Sequence, residues 1–141
     1  MRKGKILVYD WAGKKLKYNV NLLKESDYFI KETLNYEGVA RELKSENYNL
    51  VYIHPMPEEI DSIGTFVKGL FLESKRKEPP LLYCSGHALQ KYNTDNSQSK
   101  KLSFNENSLI YDKNFNFYYF DNYTTDETFL QGIEYLISNP K

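Results

Sequence analysis

Three short apolar runs punctuate the chain before residue 85: Ile6-Leu7-Val8-Tyr9, Leu50-Val51-Tyr52-Ile53 and Leu81-Leu82-Tyr83-Cys84. Their hydrophobic positions are continuous rather than alternating. Strands covered on both faces read this way, as in a parallel sheet, whereas a buried helix needs a longer run. Phe115 to Phe120 is aromatic and strand-like, and Asp27 to Leu34 is a weaker fifth candidate. Between the runs the period becomes helical. Leu16, Val20 and Leu23 share one face, as do Tyr36, Val39, Ala40 and Leu43. Ile60, Ile63, Val67, Leu70 and Phe71 form a third stripe, and Phe129, Leu130, Ile133, Leu136 and Ile137 a fourth.

Thr124, followed three residues on by Glu127, reads as a capping box that opens the last helix, with Asn139-Pro140 as its stop. Pro57 fits the first turn of the Ile60 helix. Strand and helix thus alternate, which predicts right-handed crossovers and an α/β domain: a parallel sheet with helices on both faces. No linker interrupts residues 1–141, so one domain is expected. Ala88 to Asn114 breaks the rhythm, with a polar centre at Tyr92 to Ser99. A shortened or irregular helix and a long loop are expected there. Leu109-Ile110-Tyr111, turning through Asp112-Lys113-Asn114, is read as a hairpin.

Charge narrows the function classes. Lysine plus arginine equal aspartate plus glutamate at 19 each among 141 residues. A balanced chain has no electrostatic pull toward nucleic acid or an anionic membrane. Lys14-Lys15, Lys75-Arg76-Lys77 and Lys100-Lys101 read as a solvated surface. The single cysteine, Cys84, excludes an internal disulfide and reads as a buried small hydrophobe. The apolar run after the basic N-terminus is too short for a signal peptide, and none approaches the roughly 20 residues that span a bilayer. A cytoplasmic setting is the expectation.

Ligands of open parallel sheets bind beyond the carboxyl ends of the strands. That places Asp10 and Trp11, His54 and Pro55, Ser85 to His87, and Asp121 and Asn122 along one edge. The stretches Lys5 to Asp10, Tyr48 to His54 with Met56-Pro57, Pro80 to Gly86, and Tyr119 to Asn122 followed by Thr124 to Ser138 resemble, in order and spacing, the bacterial response-regulator receiver domain. The resemblance covers nearly the whole chain, Ala88 to Asn114 most poorly. It implies a flavodoxin-like, doubly wound five-stranded parallel sheet with an irregular segment before the last strand.

Receivers hold Mg²⁺ and accept a phosphoryl group with three carboxylates. By resemblance Asp10 matches the first acid, Trp11 stands at the second, and His54 stands at the phosphoacceptor. Asn122 replaces the lysine after the last strand. Ser85 survives, and Tyr119 matches an aromatic often used as a switch. Tryptophan cannot ligate a metal, and one carboxylate is too few for Mg²⁺. The resemblance therefore implies a pseudo-receiver in signal transduction. It would be neither enzyme nor metal or cofactor binder, and would act through a protein partner or a homodimer. The expected contact surface is the last strand and helix, around Tyr118, Tyr119, Tyr123 and Phe129.

Other readings remain open. Asp10, His54 and His87 are suitable ligands for a transition metal, though no close ligand pair supports them. Ser85 with a histidine and Asp10 has the residue types of a hydrolase triad but lacks a Gly-x-Ser-x-Gly elbow. An enzyme or small-molecule sensor would use the pocket of Asp10, His54, Ser85 and His87. A phosphorylation-dependent regulator with a rearranged site would recruit an acid from Glu58, Glu59 or Asp61. Asp10-Trp11-Ala12-Gly13-Lys14-Lys15 is no phosphate loop. The chain could also be one piece of a longer regulatory protein.

Overall fold

A computed structural model describes residues 3–59, 62–72, 74–84, 99–104, 107–113, 116–120 and 125–139. Seven strands form one sheet: β1 (Gly4–Asp10), β2 (Tyr28–Thr33), β3 (Leu50–His54), β4 (Leu81–Tyr83), β5 (Ser99–Phe104), β6 (Asn107–Asp112) and β7 (Phe117–Phe120). Four α-helices accompany them among the described residues: α1 (Lys17–Glu25), α2 (Tyr36–Ser45), α3 (Ile63–Phe71) and α4 (Asp126–Ser138). A 3₁₀ turn over Pro57–Glu59 precedes α3.

The continuous apolar runs behave as two-sided strands. Ile6 and Val8 of β1 pack into a cluster with Leu16, Val20 and Leu23 around α1 and with Phe129, Ile133 and Leu136 of α4. Leu7 and Tyr9, pointing the other way along the pleat, join Val39 and Leu43 of α2 and Ile63 and Val67 of α3. Two separate cores therefore sandwich the sheet, which is why neither face of these strands can be polar.

The order across the sheet is β2-β1-β3-β4-β7-β6-β5. The first five in that row are mutually parallel. From β1 the chain steps first to β2 on one side and then to β3 on the other. The sheet thus reverses direction between β1 and β3, where Asp10 pairs in register with His54. A crevice at the carboxyl ends forms at such a reversal.

The structure corrects the sequence reading in two places. The sheet has seven strands rather than five, because residues 99–112 add an antiparallel hairpin, β5–β6, beside β7. The Leu109–Tyr111 run does turn back through Asp112, as β6 pairing antiparallel with β7. Its partner β5 carries Ser-Lys-Lys and gives no apolar signal. The cap of α4 is Thr125, whose side chain accepts from the Thr128 N–H at 3.2 Å; the capping box on Thr124 is one residue early. Asn139 caps the far end, its side chain donating to the Tyr135 carbonyl at 3.0 Å.

Candidate strand-end site

Asp10 ends β1 and its carboxylate is buried. The chain then turns sharply: the Gly13 N–H donates to the Asp10 carbonyl at 2.9 Å, and Gly13 sits at φ +77°, a left-handed conformation that favours glycine. This turn folds the following loop over the carboxylate. Oδ2 accepts from the Leu16 N–H at 2.9 Å and Oδ1 from the Ala12 N–H at 3.3 Å. Leu16 is the N-cap of α1 and makes no side-chain cap of its own, so Asp10 supplies a remote one.

His54 ends β3 beside it, with Nδ1 3.0 Å from Asp10 Oδ1. An ionised carboxylate only accepts, so the imidazole meets it with Nδ1–H. Trp11 stacks over the imidazole, ring centroids 6.1 Å apart and planes 29° from parallel. Trp11, 42% exposed, forms the outer layer of this Trp–His–Asp stack. Three donors of the chain itself thus meet the Asp10 carboxylate, two at Oδ1 and one at Oδ2. Such a carboxylate is an anchor for its loop, with little capacity left for a metal ion or an incoming phosphoryl group.

Ser85, His87, Asp121, Asn122 and Tyr123 lie outside the described residues. Among the described residues no three His, Cys, Asp or Glu side chains gather as metal ligands, and no helix is long and apolar enough to cross a membrane.

A cleft of about 310 Å³ opens on one side of the stack, between α1 and the start of α4. Tyr52, Tyr83, Cys84 and Phe120 line its floor, with Lys15, Asn19 and Asp126 at the sides. Asn19 Nδ2 donates to the Tyr52 hydroxyl at 2.8 Å. Burial pushes the Cys84 thiol up to about 12, so it is protonated and not a nucleophile near neutral pH. The first turn of α4 carries Asp126 and Glu127, and the Tyr18 hydroxyl donates to Asp126 at 2.8 Å. Two acids at a helix N-terminus occupy the place a phosphate would prefer.

A second cleft, of about 360 Å³, opens on the opposite side, toward α2. It is lined by Tyr9, Trp11, Leu34, Asn35, Tyr36, Glu37, Met56 and Glu59. The sequence reading treated Glu59 only as a spare acid that could swing toward His54. The structure instead buries it, 8% exposed, with Oε1 accepting from the Tyr9 hydroxyl at 2.6 Å and the Met56 N–H at 2.8 Å. The sequence places Pro57 in the first turn of the Ile60 helix, whereas Pro57–Glu59 forms a separate 3₁₀ turn and α3 begins at Ile63.

The surface expected around the last strand and helix is corrected. Tyr119 is 1% exposed and Phe129 3%, and Tyr118 is also buried. Tyr118 and Tyr119 face the cores because β7 is an interior strand, bordered by β6 and covered on both faces, and Phe129 is on the face of α4 that packs against it. The large exposed apolar side chains among the described residues are Trp11, Tyr18, Phe29, Leu34 and Leu72. Trp11 and Leu34 line the same cleft at the carboxyl edge. No protein-family model matches the chain, and no curated protein matches its sequence.

Proposed function

We propose that the chain is a flavodoxin-like, receiver-like domain of the pseudo-receiver kind, which signals by binding protein and carries out no phosphoryl chemistry of its own. The observation that carries this reading is the closed Asp10 carboxylate, held by Leu16, Ala12 and His54 under Trp11. The parallel strand order, with its reversal at β1 and β3, supports the fold assignment. A receiver needs a free carboxylate pair and a nucleophilic aspartate at this point. Here the same positions hold one committed carboxylate, an indole and an imidazole. The contact surface in this proposal is the carboxyl edge at Trp11 and Leu34, replacing the buried aromatics of β7 and α4.

Trp11 is the only tryptophan, so its fluorescence reports on the stack directly. Titration with Mg²⁺ alone, and with Mg²⁺ plus beryllofluoride as a phosphoryl mimic, should give no saturable change and no change of mass in light scattering. A saturable response accompanied by a mass shift would mean a working phosphorylation switch and would overturn the proposal.

A further inference from the structure

The cleft beside Trp11 and α2 has an uncommon wall. Three aromatic side chains line it: Trp11, Tyr9 and Tyr36. Tyr36 is fixed between neighbours, stacked on Phe66 at 4.5 Å with planes 12° apart and set edge-on to Tyr9 at 5.8 Å. Its hydroxyl is buried beside Ser62. Beneath the aromatics lies the Glu59 carboxylate, more than nine-tenths buried. The hydrogen bonds that its side chain makes with described residues both land on Oε1, and no cation pairs with it among the described residues.

Among the described residues no lysine or arginine lines this cleft, whereas Glu37 does. The Tyr9 phenol is pushed well up, first by burial and then by its hydrogen bond to Glu59. Aromatic faces with a buried negative charge behind them are the recognition chemistry of organic cations, since ring quadrupole and carboxylate attract the same charge while the apolar rim removes water.

We propose that this cleft binds an alkylammonium group, seated against Trp11 and Tyr36 with Glu59 as its counter-charge. The group can come from a free small amine or from a lysine side chain of a protein. In the second case the cleft is the anchor point of the contact face assigned above, and that part rests on the protein-binding reading. The chemistry of the cleft itself does not.

The test is an NMR titration of the full chain, following the Trp11 indole N–H and the amides of Met56 and Tyr36. The probes are choline, its neutral carbon isostere 3,3-dimethylbutan-1-ol, and N-acetyl-lysine methylamide. Saturable shifts in the millimolar range with choline or the lysine derivative, and at least about tenfold weaker binding of the neutral isostere, are expected. Glu59→Gln, which keeps an acceptor for Tyr9, should weaken choline about tenfold. Trp11→Ala, at an exposed position that leaves both cores intact, should do the same. Binding of choline alone assigns the site to small quaternary amines, and binding of both extends it to lysine. Equal affinity for the neutral isostere, or no binding of either cation, overturns the proposal. Neither result bears on the beryllofluoride titration, so the two readings fail separately.

Discussion

Replacing Asp10 by alanine removes three hydrogen bonds at once, to Leu16, Ala12 and His54, and leaves the buried Leu16 N–H without its acceptor. Hydrogen bonds to a charged group, together with an orphaned donor, make this cost about 2–3 kcal/mol. The expected readout is a lower urea midpoint at unchanged slope; a midpoint equal to the parent chain would remove Asp10 from its anchoring role. Gly132→Ala should be comparably damaging for a different reason. A Cβ there would lie 2.4 Å from the Phe120 ring, which packs against Phe129 and cannot swing away freely. Overpacking of this kind costs about 1–3 kcal/mol, read as a fall in thermal midpoint. The meeting of Asp10 and His54 was legible in the sequence, because both are the first polar residue after an apolar strand run. The grip of the loop on Asp10 was not legible, since it depends on one left-handed glycine and on backbone N–H groups that every sequence possesses. Burial of Tyr118, Tyr119 and Phe129 was misjudged because aromatics near a chain end look alike whether they face water or a helix.

At the scale of elements, α2 shows how a charge run can be misread. Arg76 belongs to the Lys75-Arg76-Lys77 stretch that the sequence assigns to a solvated surface. Its guanidinium instead reaches the end of α2, donating to the carbonyls of Leu43, Lys44 and Glu46 and to Asn47 Oδ1 at 2.9 Å. It satisfies carbonyls that the helix itself leaves open, and it places a cation at the negative end of the helix dipole. Arg76→Ala should destabilise by about 1–2 kcal/mol in urea unfolding, and Arg76→Lys should recover only part of that, because an ammonium cannot span several carbonyls as a planar fork does. Equal stability of the alanine variant would show the contact to be idle. Helix interiors were legible from period alone: the buried Val39 and Leu43, or Ile133 and Leu136, stand where the stripes predicted. The hairpin strand β5 was not, since Ser99-Lys100-Lys101 opens it without an apolar run.

For the whole molecule, pH dependence follows from the buried acids that stay neutral. Burial raises the Cys84 thiol and the phenols of Tyr9, Tyr48 and Tyr52, with hydrogen-bonded glutamates adding to the effect at Tyr9 and Tyr48. Each group holds its proton more tightly folded than unfolded. Below the ordinary thiol value of 9.0 and phenol value of 10.0 both states are protonated, and the full stabilisation is present. Above those values the unfolded chain ionises first, and stability falls as pH rises toward the folded-state values. Urea midpoints should therefore be flat from neutrality to about pH 9 and then decline progressively. A flat profile through pH 11 would mean that these groups are solvated in the folded chain. The two-sided sheet behind this behaviour was readable from three apolar runs. The division of its filling into two cores, each with its own tyrosines, needed the register.

The β5–β6 hairpin has a meaning beyond strand count. Without it β7 would be the rim of the sheet: Phe117-Tyr118-Tyr119-Phe120, uncharged, free of proline and glycine, and rich in β-forming side chains. Segments of that composition are the raw material of fibrils when their backbone groups are left open. With it, the outermost strand on that side carries Lys100 and Lys101, the residue type that natural sheets place at a rim to discourage further stacking. The β5–β6 hairpin thus serves as a non-adhesive border, and a shortened chain lacking it would lose Leu109 from one core and present an adhesive strand at its rim.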